Sequence, residues 1–304
     1  MKTLLSIDGG GIRGIIPAAI LAHLEECLGS PIRENFDLIA GTSTGGILGL
    51  ALTHPAAYTA KQCMGFYTEG GPTIFSRSWS HFLGTGAALW GPKYPSAGIE
   101  SVLEKTFGRD TKLDDALSPV MVATFDYAAY QTLVLKSWYH DATFFDAARG
   151  TSAAPLYFAP HACPLGLLAD GGLFANDPAL CGLVELHSMY PNETDFLVVS
   201  LGCGRKSSNS GPTNAGLTGS GAEAVEVLFD AQPLATDYLL GELLPTGRYI
   251  RLNPSIPTVA MDDASPKTLA RLAATASGWI FANADTLAAL ALLLRSEKSC
   301  KPAA

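Results

Sequence analysis

The sequence predicts an α/β fold, and two observations carry that reading. Apolar strands at Thr3 to Asp8 and Phe36 to Ala40 each pass through a glycine turn into an apolar helix. A third apolar strand, Leu165 to Ala169, ends in Asp170-Gly171-Gly172. Strands that alternate with helices pack as a mostly parallel sheet with helices on its faces.

The first helix spans Ile15 to Leu28, because Ile16, Ala19, Ile20, His23, Leu24, Cys27 and Leu28 recur at three- and four-residue spacing. Pro17 suits its first turn and Gly29 its stop. Between strand and helix lie Gly9-Gly10-Gly11-Ile12-Arg13-Gly14. Consecutive glycines at a helix N-terminus present bare N–H groups, which is a setting for an anion.

The second strand enters Gly41-Thr42-Ser43-Thr44-Gly45 and continues into Gly46 to Leu52. This is the G-x-S-x-G nucleophile elbow. Its turn strains the backbone at the serine, and glycine on both flanks removes the collision of a side chain with the opposite limb. The hydroxyl of Ser43 then stands at a helix N-terminus, where unpaired N–H groups and the macrodipole favour negative charge. Small-residue turns of this kind also serve packing alone, so the context decides.

The strongest rival is a dinucleotide site, since Gly9-x-Gly11-x-x-Gly14 also fits G-x-G-x-x-G. That fold needs an acidic residue at the end of its second strand. Here the second strand ends in the serine elbow, and Asp37 lies near its start. The loop is better read as an oxyanion hole beside Ser43. Arg13 offers a positive charge there, or else pairs with a surface carboxylate.

Aspartates before Gly-Gly are mostly turn formers. Asp170 differs in standing at the end of a strand in a chain that already has an elbow, and it is the candidate base. A full Ser-Asp-His triad is the alternative, with His187 the one histidine after Asp170. His187 lies in the expected helix Pro178 to Met189, whose Leu180, Leu183, Val184 and Leu186 suggest packing on the sheet. His23, His54, His81, His140 and His161 show no metal-ligand spacing, so neither metal nor cofactor is expected. Asp114-Asp115 and Asp262-Asp263 read as solvated capping groups.

Gly204 to Gly221, rich in Gly, Ser and Asn, reads as a surface loop. A helix over Ala222 to Leu244, broken near Pro233, follows. Next come a strand from Arg248 to Leu252 and two Ala/Leu-rich helices from Pro266, with Ser265 as N-cap. Their apolar runs are too short to cross a bilayer.

With 304 residues and 48% hydrophobic content, the chain is expected to form one domain over 1–304. The motif-bearing core would cover about 1–205, with the helical region 222–304 packed on it. A net charge of −8 argues against a nucleic-acid partner and against electrostatic capture by anionic lipid. Membrane contact, if peripheral, would be apolar. Ser76 to Trp90, with Trp79, Phe82, Leu83, Leu89 and Trp90, offers a lipid-facing segment or a buried one. Six cysteines without paired spacing and no secretory h-region point to a cytoplasmic protein.

Together, residues 8–14, 41–45 and 170–172 resemble the patatin-like phospholipase family, whose pattern is D-G-G-G-x-R-G, G-T-S-x-G and D-G-[GA]. Gly91-Pro92-Lys93-Tyr94, Ala147 to Pro155 and Ser200-Leu201-Gly202 extend the likeness across about the first 205 residues. The resemblance implies a three-layer α/β/α sandwich with a mostly parallel central sheet. It implies a Ser43–Asp170 dyad, with Gly10, Gly11 and Arg13 in the oxyanion loop. The activity implied is lipid acyl hydrolysis, so the partner is a membrane lipid or another fatty-acyl ester. Storage proteins and effectors switched by a small molecule or protein also occur in the family, and the region after 205 is where an activator would bind.

Overall fold

The computed structural model describes residues 1–76, 91–206 and 220–299. Residues 77–90, which hold most of the apolar segment noted above, and 207–219 of the glycine-rich stretch lie outside the described residues. Ten strands follow in chain order: β1 (Lys2–Ile7), β2 (Leu38–Thr42), β3 (Val120–Asp126), β4 (Gln131–Lys136), β5 (His161–Cys163), β6 (Gly166–Asp170), β7 (Phe196–Leu201), β8 (Arg205–Lys206), β9 (Tyr249–Leu252) and β10 (Ser255–Ile256). All but β8 and β10, which pair with each other, join one eight-stranded sheet. Its centre, β3-β2-β1-β7-β9, is parallel, while β4, β5 and β6 add antiparallel pairs at the β3 end.

The helices are α1 (Ile15–Leu28), α2 (Thr44–Thr53), the single turns α3 (Ala60–Cys63), α4 (Gly65–Thr68) and α5 (Gly71–Ile74), then α6 (Ser96–Phe107), α7 (Phe144–Thr151), α8 (Ala179–Met189), α9 (Ser220–Leu243), α10 (Pro266–Ala282) and α11 (Ala284–Ser299). The strand alternation sorts them into layers. Leu5, Ile7, Ile39, Leu197 and Val199 face the larger core with α1 and α2. Leu4, Leu38, Ala40, Phe196 and Val198 face a second core with Ala179, Leu183 and Leu186 of α8. Both faces are therefore covered, as a parallel sheet requires. The three-layer arrangement expected from the sequence is present.

The first helix has the predicted bounds, and Gly29 closes it at φ 66°. β2 extends two residues further than expected, through Gly41 and Thr42, so the strand runs directly into Ser43. One expectation fails: α9 is not broken near Pro233 but passes through it. Proline there leaves the Phe229 carbonyl without its helical donor. The side-chain amide of Asn176 supplies one, donating to that carbonyl at 2.6 Å.

The register at β3 positions the site. β4 pairs with β3 from Met121 to Asp126, so β2 and β6 share the other edge, end to end. Thr42 lies opposite Ala123, and Asp170 lies opposite Thr124. Two strands running toward each other thus end at consecutive positions of β3. The residue after Thr42 is Ser43.

On the α1 face, α10 and α11 pack against α1. Among the described residues no single helix is long and apolar enough to cross a membrane. Pro266–Ala282 and Ala284–Lys298 reach that length only together and are bent by 74°.

Candidate active site

Ser43 sits between β2 and α2 at φ 54°, ψ −123°, a conformation costly for a residue with a Cβ. The flanking glycines make room for it, by two different clashes avoided. A Cβ on Gly41 would lie 2.4 Å from the Gly45 carbonyl oxygen, the opposite limb of the turn. One on Gly45 would lie 2.1 Å from the Ile7 carbonyl oxygen, at the end of β1. The Ser43 N–H is held by Thr151, whose Oγ1 accepts it at 2.9 Å and donates to the Ala123 carbonyl at 2.6 Å.

Asp170 is fully buried. Its Oδ1 accepts the Gly172 N–H at 2.8 Å, whereas Oδ2 has no hydrogen-bond partner of normal geometry among the described residues. Burial pushes the carboxyl from 3.8 up to about 7, and hydrogen bonding from the Ser43 side chain and the Gly172 N–H pulls against that rise. Gly171 carries no side chain because a Cβ would meet the Ala123 carbonyl oxygen at 2.3 Å. The serine and the carboxylate expected from the sequence are brought together.

The glycine loop closes the third side. A Cβ on Gly9 would come within 3.2 Å of the Ser43 Cβ, so the loop backbone lies directly over the elbow. The N–H groups of Gly9, Ile12 and Arg13 are bonded to Asn176, Met261 and Gly10 carbonyls. Among the described residues those of Gly10 and Gly11 make no hydrogen bond and remain available. Both glycines line the same pocket as Ser43.

Arg13 is in this loop, but its guanidinium does not point at the serine. Its Nε donates to the Gly10 carbonyl at 3.3 Å, and its two terminal nitrogens donate to Asp230 of α9 at 3.3 and 3.2 Å. It is 1% exposed. Of the two roles considered from sequence, pairing with a carboxylate is the one adopted, and the charge braces the loop from behind.

Beneath the loop lies a network that the sequence reading did not identify. Arg251 grips Asp8 with two bonds, 2.8 and 2.6 Å, and reaches Asp177 at 3.2 Å. Ser6 and Ser200, paired in register on β1 and β7, each donate to Asp177 at 2.9 Å. Burial raises the Asp8 carboxyl, and the Arg251 charge opposes the rise. Cys203 packs against Gly10, and burial pushes its thiol far up, so it stays protonated.

The pocket at Ser43 has an empty volume of about 820 Å³ counting its open mouth, and Ile47, Phe66, Ile74, Phe75, Leu103 and Phe158 wall it. Its lining is suited to a hydrocarbon chain. Asp262, read from sequence as a solvated cap, is instead nearly buried. It pairs with Lys93 and accepts from the Tyr94 hydroxyl at 2.7 Å, beside Met261, whose carbonyl takes the Ile12 N–H. Asp263 does cap, accepting the Ser265 N–H at 3.1 Å.

His187 is exposed and packs, tilted by 38°, on the Phe196 ring at 4.3 Å, at the amino end of β7 and so at the edge of the sheet away from Ser43. Asp37 likewise lies at the amino edge, accepting from Lys2 and Thr3, where no ribose at the glycine loop can reach it. Thr151 and Asn176 were also missed. Their roles arise from partners 108 and 53 residues away, a distance at which no local pattern gives a signal.

A family model described as patatin-like phospholipase matches residues 5–180. Patatin-like protein 2 of Oryza sativa subsp. japonica is 34% identical over 296 residues, covering 80% of this chain and 73% of that protein. A protein of Pseudomonas aeruginosa (strain BWHPSA011 / Pa011) described as a cGAMP-activated phospholipase is 36% identical over 210 residues, 66% of this chain and 61% of that protein. Among solved structures, VipD from Legionella pneumophila shares the fold with a TM-score of 0.51 at 13% identity, over 94% of this chain and 67% of that one.

Proposed function

Since this chain belongs to the patatin-like phospholipase family, we propose that it hydrolyses fatty-acyl esters of membrane lipids through an acyl intermediate on Ser43. The reading is carried by one observation: a strained serine at the N-terminus of α2 stands beside a fully buried aspartate whose carboxyl is pushed up to about 7 by burial. A base with that affinity is matched to neutral pH, where an ordinary carboxylate near 4 is too weak.

In this mechanism Asp170 takes the Ser43 proton as Oγ attacks the acyl carbon. The carbonyl oxygen gains the charge and is held by the free N–H groups of Gly10 and Gly11, with the N-terminus of α2 adding its field. Asp170 returns the proton to the departing alcohol oxygen, leaving an acyl-serine. Water then attacks, Asp170 takes its proton, and the fatty acid leaves as Oγ is reprotonated. The apolar pocket holds the acyl chain, and Arg13 acts as a positioning residue for the oxyanion loop.

Switching by an activator is a second reading. It is favoured by the relative described as cGAMP-activated and by the Arg13–Asp230 tie, which links the oxyanion loop to α9, outside the segment 5–180. Fluorophosphonate labelling followed by peptide mapping tests the nucleophile: modification at Ser43, lost in Ser43→Ala, is expected. Modification elsewhere overturns the assignment. Assaying acyl hydrolysis with and without cGAMP separates constitutive from switched activity.

A further inference from the structure

Away from the pocket, three side chains with different donor atoms converge at the edge of the sheet. His161 and Cys163 are two residues apart on edge strand β5 and so project from one face. Asp146, in the first turn of α7, faces them. One donor atom from each lies within 4.8 Å of the others, and the His161 Nε2 is 2.7 Å from Asp146 Oδ1. None of the three serves the chemistry at Ser43.

Two of the three donors are fixed from outside the group. Asp146 Oδ2 accepts the Thr143 hydroxyl at 2.9 Å, and the Asp146 N–H returns a bond to Thr143 Oγ1 at 3.0 Å. An outer partner of this kind orients a ligating carboxylate. Cys163 opens the turn Cys163-Pro164-Leu165-Gly166, where Cys163 pairs with Gly166 to close the β5–β6 hairpin. Gly166 adopts φ 138°, and a Cβ there would meet the Asp126 carboxyl at 2.7 Å. Asp126 Oδ1 in turn accepts the Leu167 N–H at 3.2 Å and the Ala128 N–H at 2.9 Å, which pins the hairpin.

We propose that Asp146, His161 and Cys163 bind one divalent cation of the zinc class, with water completing its coordination. The donor set selects the metal: a thiolate and an imidazole suit Zn²⁺, whereas Mg²⁺ and Ca²⁺ prefer oxygen alone. Tetrahedral bonds of about 2.0–2.3 Å place donor atoms about 3.3–3.8 Å apart. The His161–Asp146 contact must open and the wider separations contract by about 1 Å, within side-chain reach. Binding releases the Cys163 thiol proton. In neutral His161 the Nε2 proton moves to Nδ1, and where the ring is charged a second proton is released. The ion ties edge strand β5 to the first turn of α7, the helix whose last residue, Thr151, holds Ser43.

The test is titration of the reduced, chelator-treated full chain with Co²⁺, a spectroscopic substitute for Zn²⁺, followed by Zn²⁺ displacement. One equivalent is expected, with visible d–d bands and an ultraviolet thiolate-to-metal charge-transfer band that Zn²⁺ bleaches. Cys163→Ser should abolish the charge-transfer band. His161→Gln should weaken binding by at least about tenfold, the lower end of what losing even an outer-shell partner costs. Cys27→Ser should leave both unchanged, although the Cys27 thiol lies 3.5 Å from His23. Circular dichroism of each variant without metal separates lost binding from lost fold. Absence of the thiolate band, its persistence in folded Cys163→Ser, or unaltered affinity in His161→Gln overturns the site. None of these readouts depends on ester hydrolysis.

Discussion

Thr151 holds Ser43 by its backbone: its hydroxyl accepts the Ser43 N–H at 2.9 Å while donating to the Ala123 carbonyl at 2.6 Å. The hydroxyl thus bridges β3 and the elbow, at the level where β2 stops and β6 arrives. A serine forced to φ 54° persists only if its surroundings over-determine it. Thr151→Val keeps the shape and removes both bonds. Leaving a buried N–H unpaired costs about 1–3 kcal/mol, and a misplaced Oγ turns that into lost rate. We expect turnover to fall about tenfold to a hundredfold with little change in KM, and Thr151→Ser to restore most of it. Wild-type turnover in folded Thr151→Val would show that the elbow keeps its geometry without this bridge.

The buried carboxyl of Asp170 sets two pH dependences of opposite sense. As a base it works only when ionised, so kcat/KM should rise with pH through a midpoint of about 7 and then level off. Its folded value lies above the ordinary 3.8, so the folded state holds the proton more tightly. The stability this contributes is fully present below about pH 4 and is lost as pH rises through about 7. Asp170→Asn removes that loss. Its melting temperature relative to the unsubstituted protein should therefore be higher at about pH 8 than at about pH 5. At roughly 1.4 kcal/mol per pH unit the difference is on the order of a few kcal/mol at most. Paired thermal melts at the two pH values measure it, and an equal offset at both would mean that burial does not raise this carboxyl.

Arg13 and Asp230 form an asymmetric pair, with side chains 2% and 35% exposed. Removing Asp230 leaves the buried Arg13 guanidinium without its carboxylate and takes a partner from Lys206, so it should cost about 1–3 kcal/mol. Removing the buried arginine also takes its side-chain bond from the Gly10 carbonyl, which keeps only the backbone N–H of residue 13. We expect Asp230→Ala to lower kcat a few-fold at near-constant KM. Arg13→Ala should lower both kcat and chemical-denaturation stability more strongly. Equal effects of the two substitutions would show that the pair, and not the loop brace, carries the contribution.

The elbow and Asp170 were legible because each is a local pattern in which glycine is required by nearby backbone, and the glycine loop because its three glycines are consecutive in the chain. A Cβ at Gly41, Gly45 or Gly171 would strike a carbonyl oxygen of the chain at 2.1–2.4 Å. The first helix was legible because its apolar spacing and its stop at Gly29 are contained within it. The Asp8–Arg251–Asp177 network was not, because its members lie on separate strands and loops and pair only when the sheet forms. Asp262 misled for the same reason: next to Asp263 it reads as a cap, and only Lys93 and Tyr94, 169 and 168 residues away, reveal its burial. The Asp146–His161–Cys163 group needed a helix to meet an edge strand. Only the two-residue interval between His161 and Cys163 was available in the chain.

Pro233 shows how a strong local rule is overruled. Its ring removes the donor for the Phe229 carbonyl, at a cost of about 3 kcal/mol in an unassisted helix interior, yet α9 continues because the Asn176 amide takes that carbonyl at 2.6 Å. The same amide nitrogen lies 3.3 Å from the Gly9 carbonyl, so one side chain joins the helix to the oxyanion loop. Asn176→Ala should destabilise the protein by about 1–3 kcal/mol, the cost of buried carbonyls left unpaired. In the Pro233→Ala background the new amide at position 233 can satisfy Phe229 itself, so the same Asn176 substitution should cost less. The difference is a coupling of about 0.5–1.5 kcal/mol, readable from a double-mutant cycle by urea unfolding. The Gly9 part of the loss should remain in both backgrounds and appear as reduced turnover. A coupling of zero would mean that α9 tolerates the proline without help from Asn176.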